Sequence, residues 1–384
     1  MNNFTYYNPV RVVFGRGTIA KLAELIPPEK RILVVYGGGS IKKNGVYDQV
    51  AAALEGREWS EFGGIEPNPL YETCMEAVRA ARREKSDFLL AVGGGSVWDG
   101  VKFIAAAIPF EGQDPWTIVS EQAPVKEAVP FGGVLTLAAT GSEMNSGSVI
   151  SNRSTGQKLP WGSPLVFPRF SILDPETTYS LPERQTANGI VDAFTHVLEQ
   201  YLTYDVNAPL QDRQAEAILQ TLIREAPKLR EDPRDYDARA NLMWAATQAL
   251  NGLIGAGVPS DWATHMIGHE LTAAHGIDHG RSLAIVMPAV LRLRKEAKRE
   301  KLLVYARRVW GIDEADEGRA VDEAIERTER FFREVGCPTR LADYGVDPEG
   351  WAEIPERVAS RWGKIGERRD IGREEVAEIL RLAS

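Results

Sequence analysis

A chain of 384 residues, 43% of them hydrophobic, is too long for one ordinary core, so two domains are expected. A formal net charge of −9 and a pI near 5.3 argue against nucleic-acid binding, because no excess of basic side chains can neutralise phosphates. The two cysteines, Cys74 and Cys337, resemble neither a disulfide framework nor a CxxC metal site, and no signal peptide or membrane-spanning run is present. We therefore expect a cytoplasmic protein that does not enter membranes.

The N-terminal residues 4–14 alternate well enough to predict edge strands. They are followed by GRGTIA, which matches the G-x-G-x-x-A pattern of a dinucleotide-binding turn. That pattern also needs an acidic residue about 20 positions later, and the chain has Val35-Tyr36-Gly37 there. The segment is better explained as a structural turn.

Two later segments combine an apolar strand, a glycine-rich turn and a helix. RILVVY leads into Gly37–Ser40, and DFLLAV leads into Gly93–Ser96. Glycines between a strand and a helix let backbone N–H groups approach a pyrophosphate at the positive end of the helix. Two such turns favour a dinucleotide site in a parallel α/β sheet, with tight packing turns that bind nothing as the alternative.

The segment FGGVLTLAATGSEMNSGSVIS predicts a strand, a small-residue loop and another strand, and residues 165–174 predict one more strand. In that loop Thr136, Thr140, Ser142 and Asn145 offer hydroxyl and amide groups to a cofactor. After Leu181-Pro182 the pattern changes to long helices, predicted over 187–202, 208–229, 238–252, 261–275 and 318–335. We place the boundary near residue 184, which gives an α/β domain of residues 1–184 and a helical domain of residues 185–384.

Histidines are concentrated in one stretch of the helical domain. Four of the five in the protein fall between residues 257 and 282: His265, His269, His275 and His279. A helix over 261–275, ended by Gly276, places His265 and His269 on one face, and the following loop can return His279 towards it. Solvated histidines on a surface helix are the alternative, but this clustering favours a metal site.

The fifth histidine, His196, follows Asp192 by four residues on another predicted helix, opposite its apolar side. Alone, this pair would be more simply explained as a surface Asp–His contact. Together with the histidine-rich stretch it predicts a set of one oxygen and three nitrogen ligands for a divalent transition metal: Asp192, His196, His265 and His279.

GGGSVWDGVKFIA, TLAATGSEMN, NGIVDAFTHVLEQY and the histidine-rich stretch together resemble the iron-containing (group III) alcohol dehydrogenases, in particular their NADPH-dependent aldehyde reductase and butanol dehydrogenase branch. The resemblance implies a dehydroquinate-synthase-like fold, a homodimer, and those four residues as metal ligands. It also implies a cofactor site at Gly37, Gly38, Ser40, Gly94, Gly95, Ser96, Asp99, Thr136, Ser142, Asn145 and Lys158.

The expected activity is interconversion of small aldehydes and primary alcohols with NADP(H), assisted by Fe(II) or Zn(II) as a Lewis acid. His269, one helical turn after His265, is the candidate proton relay, with a structural role beside the metal as the alternative. Rival functions are a metallohydrolase or lyase with the same ligands, and a sugar-phosphate lyase or polyol dehydrogenase of the same fold.

Two segments predict which substrate and which nicotinamide cofactor the protein prefers. The loop Asn251–Gly257 is small and apolar, which favours a small uncharged substrate. At the end of RILVVY the turn contains no carboxylate to bind a ribose 2′-hydroxyl, and Ser40, Lys42 and Lys43 follow, which favours NADP(H) over NAD(H). A solvated helix start is the alternative for the lysines. Gly37→Asp is expected to shift the preference towards NADH.

Overall fold

A computed structural model describes all 384 residues, and the chain divides into two compact units. One unit is Tyr7–Leu181, and the other is Met1–Tyr6 together with Pro182–Ser384. The first six residues therefore do not belong to the α/β unit, contrary to the predicted division. They join the helical unit, where the N–H of Asn2 donates to the carbonyl of Gly257 over 2.9 Å. No helix combines the length and the apolar character that crossing a bilayer requires.

The α/β unit contains a parallel sheet of six strands in the order β1-β8-β5-β4-β2-β3, and a separate antiparallel hairpin of β6 and β7. Strands β2, β4, β5 and β8 are buried almost throughout, as expected of parallel strands that are covered on both faces. The eight strands are β1 (Arg11–Phe14), β2 (Ile32–Tyr36), β3 (Trp59–Phe62), β4 (Phe88–Gly94), β5 (Phe131–Leu137), β6 (Gly147–Asn152), β7 (Gln157–Gly162) and β8 (Phe170–Leu173).

The helices of this unit connect the strands. They are α1 (Leu22–Leu25), α2 (Val46–Ala53), α3 (Tyr71–Arg83), α4 (Gly95–Ala107) and α5 (Thr117–Ser120). Because β2, β4 and β5 are neighbours and run parallel, the segments that follow them meet at one edge of the sheet. The two glycine-rich turns and the loop after β5 are thereby brought together.

Two local predictions in this unit need correction. The expected strand over 4–14 forms only from Arg11, because Pro9 has no N–H to donate and residues 1–6 join the other unit. The hairpin strand β7, which carries Lys158, is an addition to the predicted strands. The GRGTIA segment is a turn in which the N–H of Gly17 donates to the Asp174 carboxylate over 2.6 Å.

The helical unit has eleven α-helices, and the five predicted ones are present with shifted ends. Four others of eight residues or more are additions, including one that carries Pro288 in its interior, a residue that usually ends a helix. The helices are α6 (Glu183–Tyr201), α7 (Pro209–Glu225), α8 (Lys228–Glu231), α9 (Tyr236–Ala249), α10 (Ala263–His275), α11 (His279–Arg294), α12 (Arg299–Arg308), α13 (Glu317–Glu334), α14 (Pro348–Trp351), α15 (Ile354–Trp362) and α16 (Arg373–Leu382).

Helix α6 is buried continuously from Ala187 to Tyr201, polar residues included. Helices α10 and α11 are held by an apolar core shared with α15 and α16, in which Ile267, Leu271 and Ile285 are fully buried. Buried polar groups are costly unless they find partners. The polar side chains on α6 are therefore the first place to look for a functional site.

Candidate metal centre and cofactor edge

Three imidazoles of the helical unit converge on one carboxylate oxygen. Asp192 and His196 lie one turn apart on α6, His265 lies in the first turn of α10, and His279 is the first residue of α11. The Nδ1 of His196, the Nε2 of His265 and the Nε2 of His279 lie 3.5, 3.7 and 3.6 Å from the Oδ1 of Asp192. The sequence pattern predicts His279 in a loop, but the chain re-enters a helix directly after Asp278.

These distances fit a bound metal ion. Ligand atoms about 2.1 Å from a tetrahedral metal are about 3.4 Å apart, close to the separations observed. Asp192, His265 and His279 offer atoms that all lie within 4.8 Å of one another. His196 lies outside that tight trio, but its ring stacks on that of His265, with centroids 4.5 Å apart.

Hydrogen bonding supports the same conclusion. The Oδ1 of Asp192, the Nδ1 of His196 and the Nε2 of His265 are buried and have no hydrogen-bond partner. Leaving buried polar atoms unpaired costs free energy, and three around one point is unusual for a purely structural cluster. A cation held by all three would satisfy them.

The electrostatics of the cluster attract positive charge. Burial raises the pKa of Asp192, but the imidazoles of His196, His265 and His279 outweigh it and hold that pKa below its usual range. Burial lowers the pKa of His196 to about 4. Burial also acts to lower the pKa of His265, yet the carboxylates of Glu199 and Asp192 raise it to about 9. Two buried carboxylates thus face the site.

Glu199 is part of the centre, although the sequence pattern indicates nothing for it beyond its place on the polar side of α6. Its carboxylate bonds to the Nδ1 of His265 and accepts the N–H of Thr264 over 2.6 Å. The spacing from His196, three residues along the same helix, is the one signal that could have found it.

The two remaining histidines differ in their surroundings. His269 is 8% exposed, and the centroid of its ring lies 5.1 Å from that of His279 and 6.3 Å from that of His265. It is therefore placed beside the cluster, as the sequence predicts. His275 is half-buried at the end of α10, next to Gly350.

At the edge of the α/β sheet, the two glycine-rich turns differ in why they need glycine. A side chain at Gly95 would meet Thr140 at 2.3 Å, and one at Gly94 would meet Leu137 at 3.0 Å, so packing alone explains that turn. In contrast, a Cβ at Gly38 would meet nothing within 4 Å. Packing does not require glycine there, and the space is available for a ligand. Helix α4 begins at Gly95 and presents its positive end at the same edge.

The polar residues predicted for the cofactor largely bind one another. Ser142 donates to Asp99 over 2.6 Å, and Asp99 also accepts the N–H of Val149 over 2.9 Å. The fully buried Lys102, which is absent from the predicted set, donates to Ser142 over 2.8 Å and to Asn145 over 2.9 Å. These side chains fix the loop after β5 in place. Burial raises the pKa of Asp99 and lowers that of Lys102 to about 8.

Lys158, the last predicted cofactor residue, lies on β7 and donates to the side chain of Asn68 over 2.7 Å. The N–H of Asn68 donates in turn to the hydroxyl of Ser96 over 3.2 Å. Thr136 lies near the end of β5 and is buried. All the predicted cofactor residues therefore belong to the α/β unit, on the segments around this edge.

An acidic residue of β3 reaches the glycine-rich turn that follows β2. The sequence of that turn alone does not reveal this contact. Glu61 of β3 lies 2.6 Å from the Nζ of Lys42 and accepts the hydroxyl of Tyr47 over 2.6 Å. The bond to Glu61 raises the pKa of Lys42. Lys42 is thus paired with Glu61 while its side chain stays 41% exposed to solvent.

Comparison with known proteins agrees with this architecture. The iron-containing alcohol dehydrogenase profile matches residues 9–175, and the C-terminal profile of the same family matches residues 186–384. The chain is 55% identical over 374 residues to the NADPH-dependent aldehyde reductase YqhD of Escherichia coli, covering 97% of each chain. It is 45% identical to a probable NADH-dependent butanol dehydrogenase of Bacillus subtilis, with both chains fully covered.

Solved structures give the same result. The crystal structure of Escherichia coli YqhD superposes with a TM-score of 0.98 at 54% identity, covering 100% of this chain and 99% of that one. A butanol dehydrogenase from Thermotoga maritima superposes with a TM-score of 0.96 at 39% identity, with the same coverage. The predicted fold class and family resemblance are confirmed. The chain belongs to the iron-containing alcohol dehydrogenase family.

Proposed function

We propose that this protein reduces small aldehydes to primary alcohols with NADPH and catalyses the reverse reaction with NADP⁺. The observation that carries the proposal is the convergence of three imidazole nitrogens on the Oδ1 of Asp192, at 3.5 to 3.7 Å. Membership of an oxidoreductase family that contains a metal supports it. So does the relative that is named an NADPH-dependent aldehyde reductase.

In this proposal Asp192, His196, His265 and His279 hold one Fe(II) or Zn(II), since a carboxylate and three imidazoles suit either ion. When bound, the metal would polarise the substrate oxygen while the nicotinamide exchanges a hydride with the substrate carbon. The protein holds the four ligands on α6, α10 and α11, which pack against one another and thereby fix the ligand spacing before the ion arrives.

The alcohol oxygen must gain a proton during reduction and lose one during oxidation. His269 is our candidate for holding that proton, because its buried ring lies one turn from His265 and 5.1 Å from the ring of His279. A structural contact with the ligand rings is the competing role. Replacing His269 while measuring metal content separates the two.

For the cofactor we propose the edge formed by the two glycine-rich turns and the loop after β5. The residues are Gly37, Gly38, Ser40, Gly94, Gly95, Ser96, Asp99, Thr136, Ser142, Asn145 and Lys158. Since relatives named for NADPH and for NADH are both similar to this chain, the choice has to come from its own residues. The open space at Gly38 leaves room for a 2′-phosphate, and no carboxylate stands in the turn itself.

We further propose a cytoplasmic homodimer. Strand β1 lies at the edge of the sheet with β8 as its one neighbour, and both Phe14 at its end and Tyr7, which precedes it in the chain, are exposed. Both cysteines are buried and unbridged, as suits a reducing compartment. Light scattering after gel filtration tests the dimer, and a mass of 42.4 kDa would contradict it.

The decisive experiment mixes the metal-loaded protein with NADPH and butanal and follows the nicotinamide absorbance. We expect a loss of absorbance that depends on the aldehyde and on the metal, with butanol as the product. NADPH that stays unchanged with every aldehyde tried would refute the proposal. Under that outcome, hydrolysis assays without the dinucleotide would test the metallohydrolase alternative.

A further inference from the structure

The carboxylate of Glu199 faces the first turn of α10 with both oxygens. Its Oε1 accepts the N–H of Thr264 over 2.6 Å, and its Oε2 accepts the N–H of His265 over 3.3 Å. These first-turn donors have no partner within the helix, and a negative charge there is favourable. Glu199 is 2% exposed, so the bonds are shielded from water. If these were its only contacts, Glu199 would be simply a helix cap supplied by α6.

The same carboxylate also contacts the side chain of a metal-ligand candidate. Its Oε2 bonds to the Nδ1 of His265. A neutral imidazole carries one proton, and an acceptor at Nδ1 keeps the proton there. The lone pair is then on Nε2, the atom that lies 3.7 Å from the Oδ1 of Asp192 and has no hydrogen-bond partner. Glu199 thus selects which nitrogen of His265 faces the centre.

We propose that Glu199 is a positioning residue for the metal ion, and that it fixes His265 as an Nε2 ligand. The inference rests on the proposed metal site. One side chain sets both where the α10 backbone begins and how the imidazole is oriented, so the ligand is in place before the ion binds. Carboxylates bonded to ligand histidines also raise their basicity, and their loss commonly weakens metal binding by about 10- to 100-fold.

Glu199→Gln tests this with little change in shape. The amide has one acceptor oxygen, whereas the carboxylate accepts from the α10 backbone and from His265 with different oxygens. If the NH₂ group faces Nδ1, it favours the tautomer that protonates Nε2 and blocks ligation. The matched control is Asp261→Asn, because Asp261 caps the same helix at the N–H of Ala263 over 3.0 Å but touches no histidine.

The measurement is Co²⁺ binding to each purified protein, by competition with a chelator and by the visible spectrum of the bound ion. We expect Glu199→Gln to raise the Kd by about 10- to 100-fold and to shift the spectrum. The Asp261→Asn variant should lose thermal stability while its Kd stays within about threefold of the wild type.

Two outcomes would overturn the role of Glu199, and a third would refute the metal site on which it rests. A wild-type Kd and spectrum in Glu199→Gln would show that Glu199 does not position the ligand. Equal weakening in both variants would reduce it to a helix cap. A wild-type protein that binds no Co²⁺ would instead refute the metal site itself, and with it the proposed function.

A measurement on the wild type removes any dependence on how the variant folds. In protein carrying ¹⁵N-labelled histidine and loaded with Zn²⁺, the His265 resonances, identified by their absence from His265→Asn, report the state of each nitrogen. We expect a protonated Nδ1 and a metal-bound Nε2. A metal-bound or unprotonated Nδ1 would overturn the proposal.

Discussion

The candidate metal centre and the cofactor edge differ in the groups that form them: side chains in the first, backbone and glycine positions in the second. In the helical unit, the proposed chemistry comes from buried or half-buried side chains: Asp192 and His196 in the buried part of α6, and His265 and His279 at the starts of α10 and α11. In the α/β unit the proposed cofactor site would use backbone N–H groups and positions without a side chain, such as Gly38, where a Cβ would meet nothing within 4 Å. The first site depends on specific side chains, and the second depends on the absence of a side chain at particular positions.

This difference determines how each site should respond to mutation. Removing a ligand from the metal centre removes one of a few strong, specific contacts. Adding a side chain to the cofactor edge inserts charge or bulk into open space. We therefore expect loss of function from deletions in the first region and changed selectivity from additions in the second.

The largest effect is expected for His279→Ala. Removing one of four ligands should lower metal content, and activity should fall about a thousandfold, in keeping with the several kcal/mol that a Lewis-acid metal contributes. His279 is the most exposed of the four proposed ligands, with 22% of its side chain accessible, so the fold should survive. Elemental analysis, initial rates and circular dichroism check this together. Full activity would show that His279 is not a ligand.

His269→Gln should slow aldehyde reduction by about a hundredfold without loss of metal, because a positioned acid or base contributes about 100-fold or more. His275→Gln is the matched control, since His275 lies on the same helix and outside the cluster. The rate and the metal content are measured on both variants. Metal loss in His269→Gln would indicate a structural role beside the ligands, and a wild-type rate would exclude His269 as the relay.

The same contrast explains how much of each site the sequence can predict. Histidine is rare in this chain, with five residues in all, so the clustering of four of them in 257–282 is enough to indicate a metal site. Helical spacing also places Asp192 beside His196. Glycine is common and serves many turns, so the sequence cannot distinguish Gly38, which faces open space, from Gly95, which packs against Thr140.

Residues whose roles depend on distant partners escape sequence-based prediction for a related reason. Lys102 donates to Ser142 and Asn145 in the loop that follows β5 and to the carbonyl of Gly147 at the start of β6, 40 to 45 positions along the chain. Its own helix gives no hint of these acceptors. Glu199 meets α10 across 65 residues. Glu61 reaches the first glycine turn only because β2 and β3 pair side by side. Such contacts arise from sheet order and helix packing, which local spacing does not encode.

At the cofactor edge, Gly38→Asp should move the preference from NADPH towards NADH by about 10- to 100-fold. The reason is repulsion between the new carboxylate and the 2′-phosphate. Gly37→Asp should act in the same direction, but a Cβ there lies 3.2 Å from the carbonyl of Ile65, so strain would complicate it. Ratios of kcat/KM for the two cofactors provide the measurement.

Gly38→Asn separates charge from bulk in this test, because asparagine matches aspartate in size but is neutral. The asparagine variant should keep most of the NADPH preference. Equal shifts in both variants would show that the turn selects by space rather than by charge. Equal use of NADH and NADPH by the wild type would contradict our interpretation of the turn.

The smallest expected effect is the preference for uncharged over charged aldehydes. The loop Asn251–Gly257 is predicted to suit an alkyl chain, and in the structure its Ile254 and Ala256 are buried. Its last glycines also have packing reasons to be small: a Cβ at Gly255 would meet Gln200 at 2.8 Å, and one at Gly257 would meet Met1 and Phe4. The small size of this loop therefore does not by itself indicate a substrate pocket, and electrostatics provides the stronger argument.

Asp192 and Glu199 already place two buried carboxylates at the metal centre. These two negative charges already balance the proposed divalent ion, so a substrate with a further negative charge would lose water without gaining an unbalanced cation to pair with. We expect kcat/KM for butanal to exceed that for 4-oxobutanoate, a carboxylated aldehyde of equal chain length, by at least about tenfold, or about 1.4 kcal/mol. Steady-state rates with both aldehydes at fixed NADPH measure the ratio. A tenfold preference for the charged aldehyde would mean that an unrecognised cation faces the substrate, and would place the selectivity outside the metal centre.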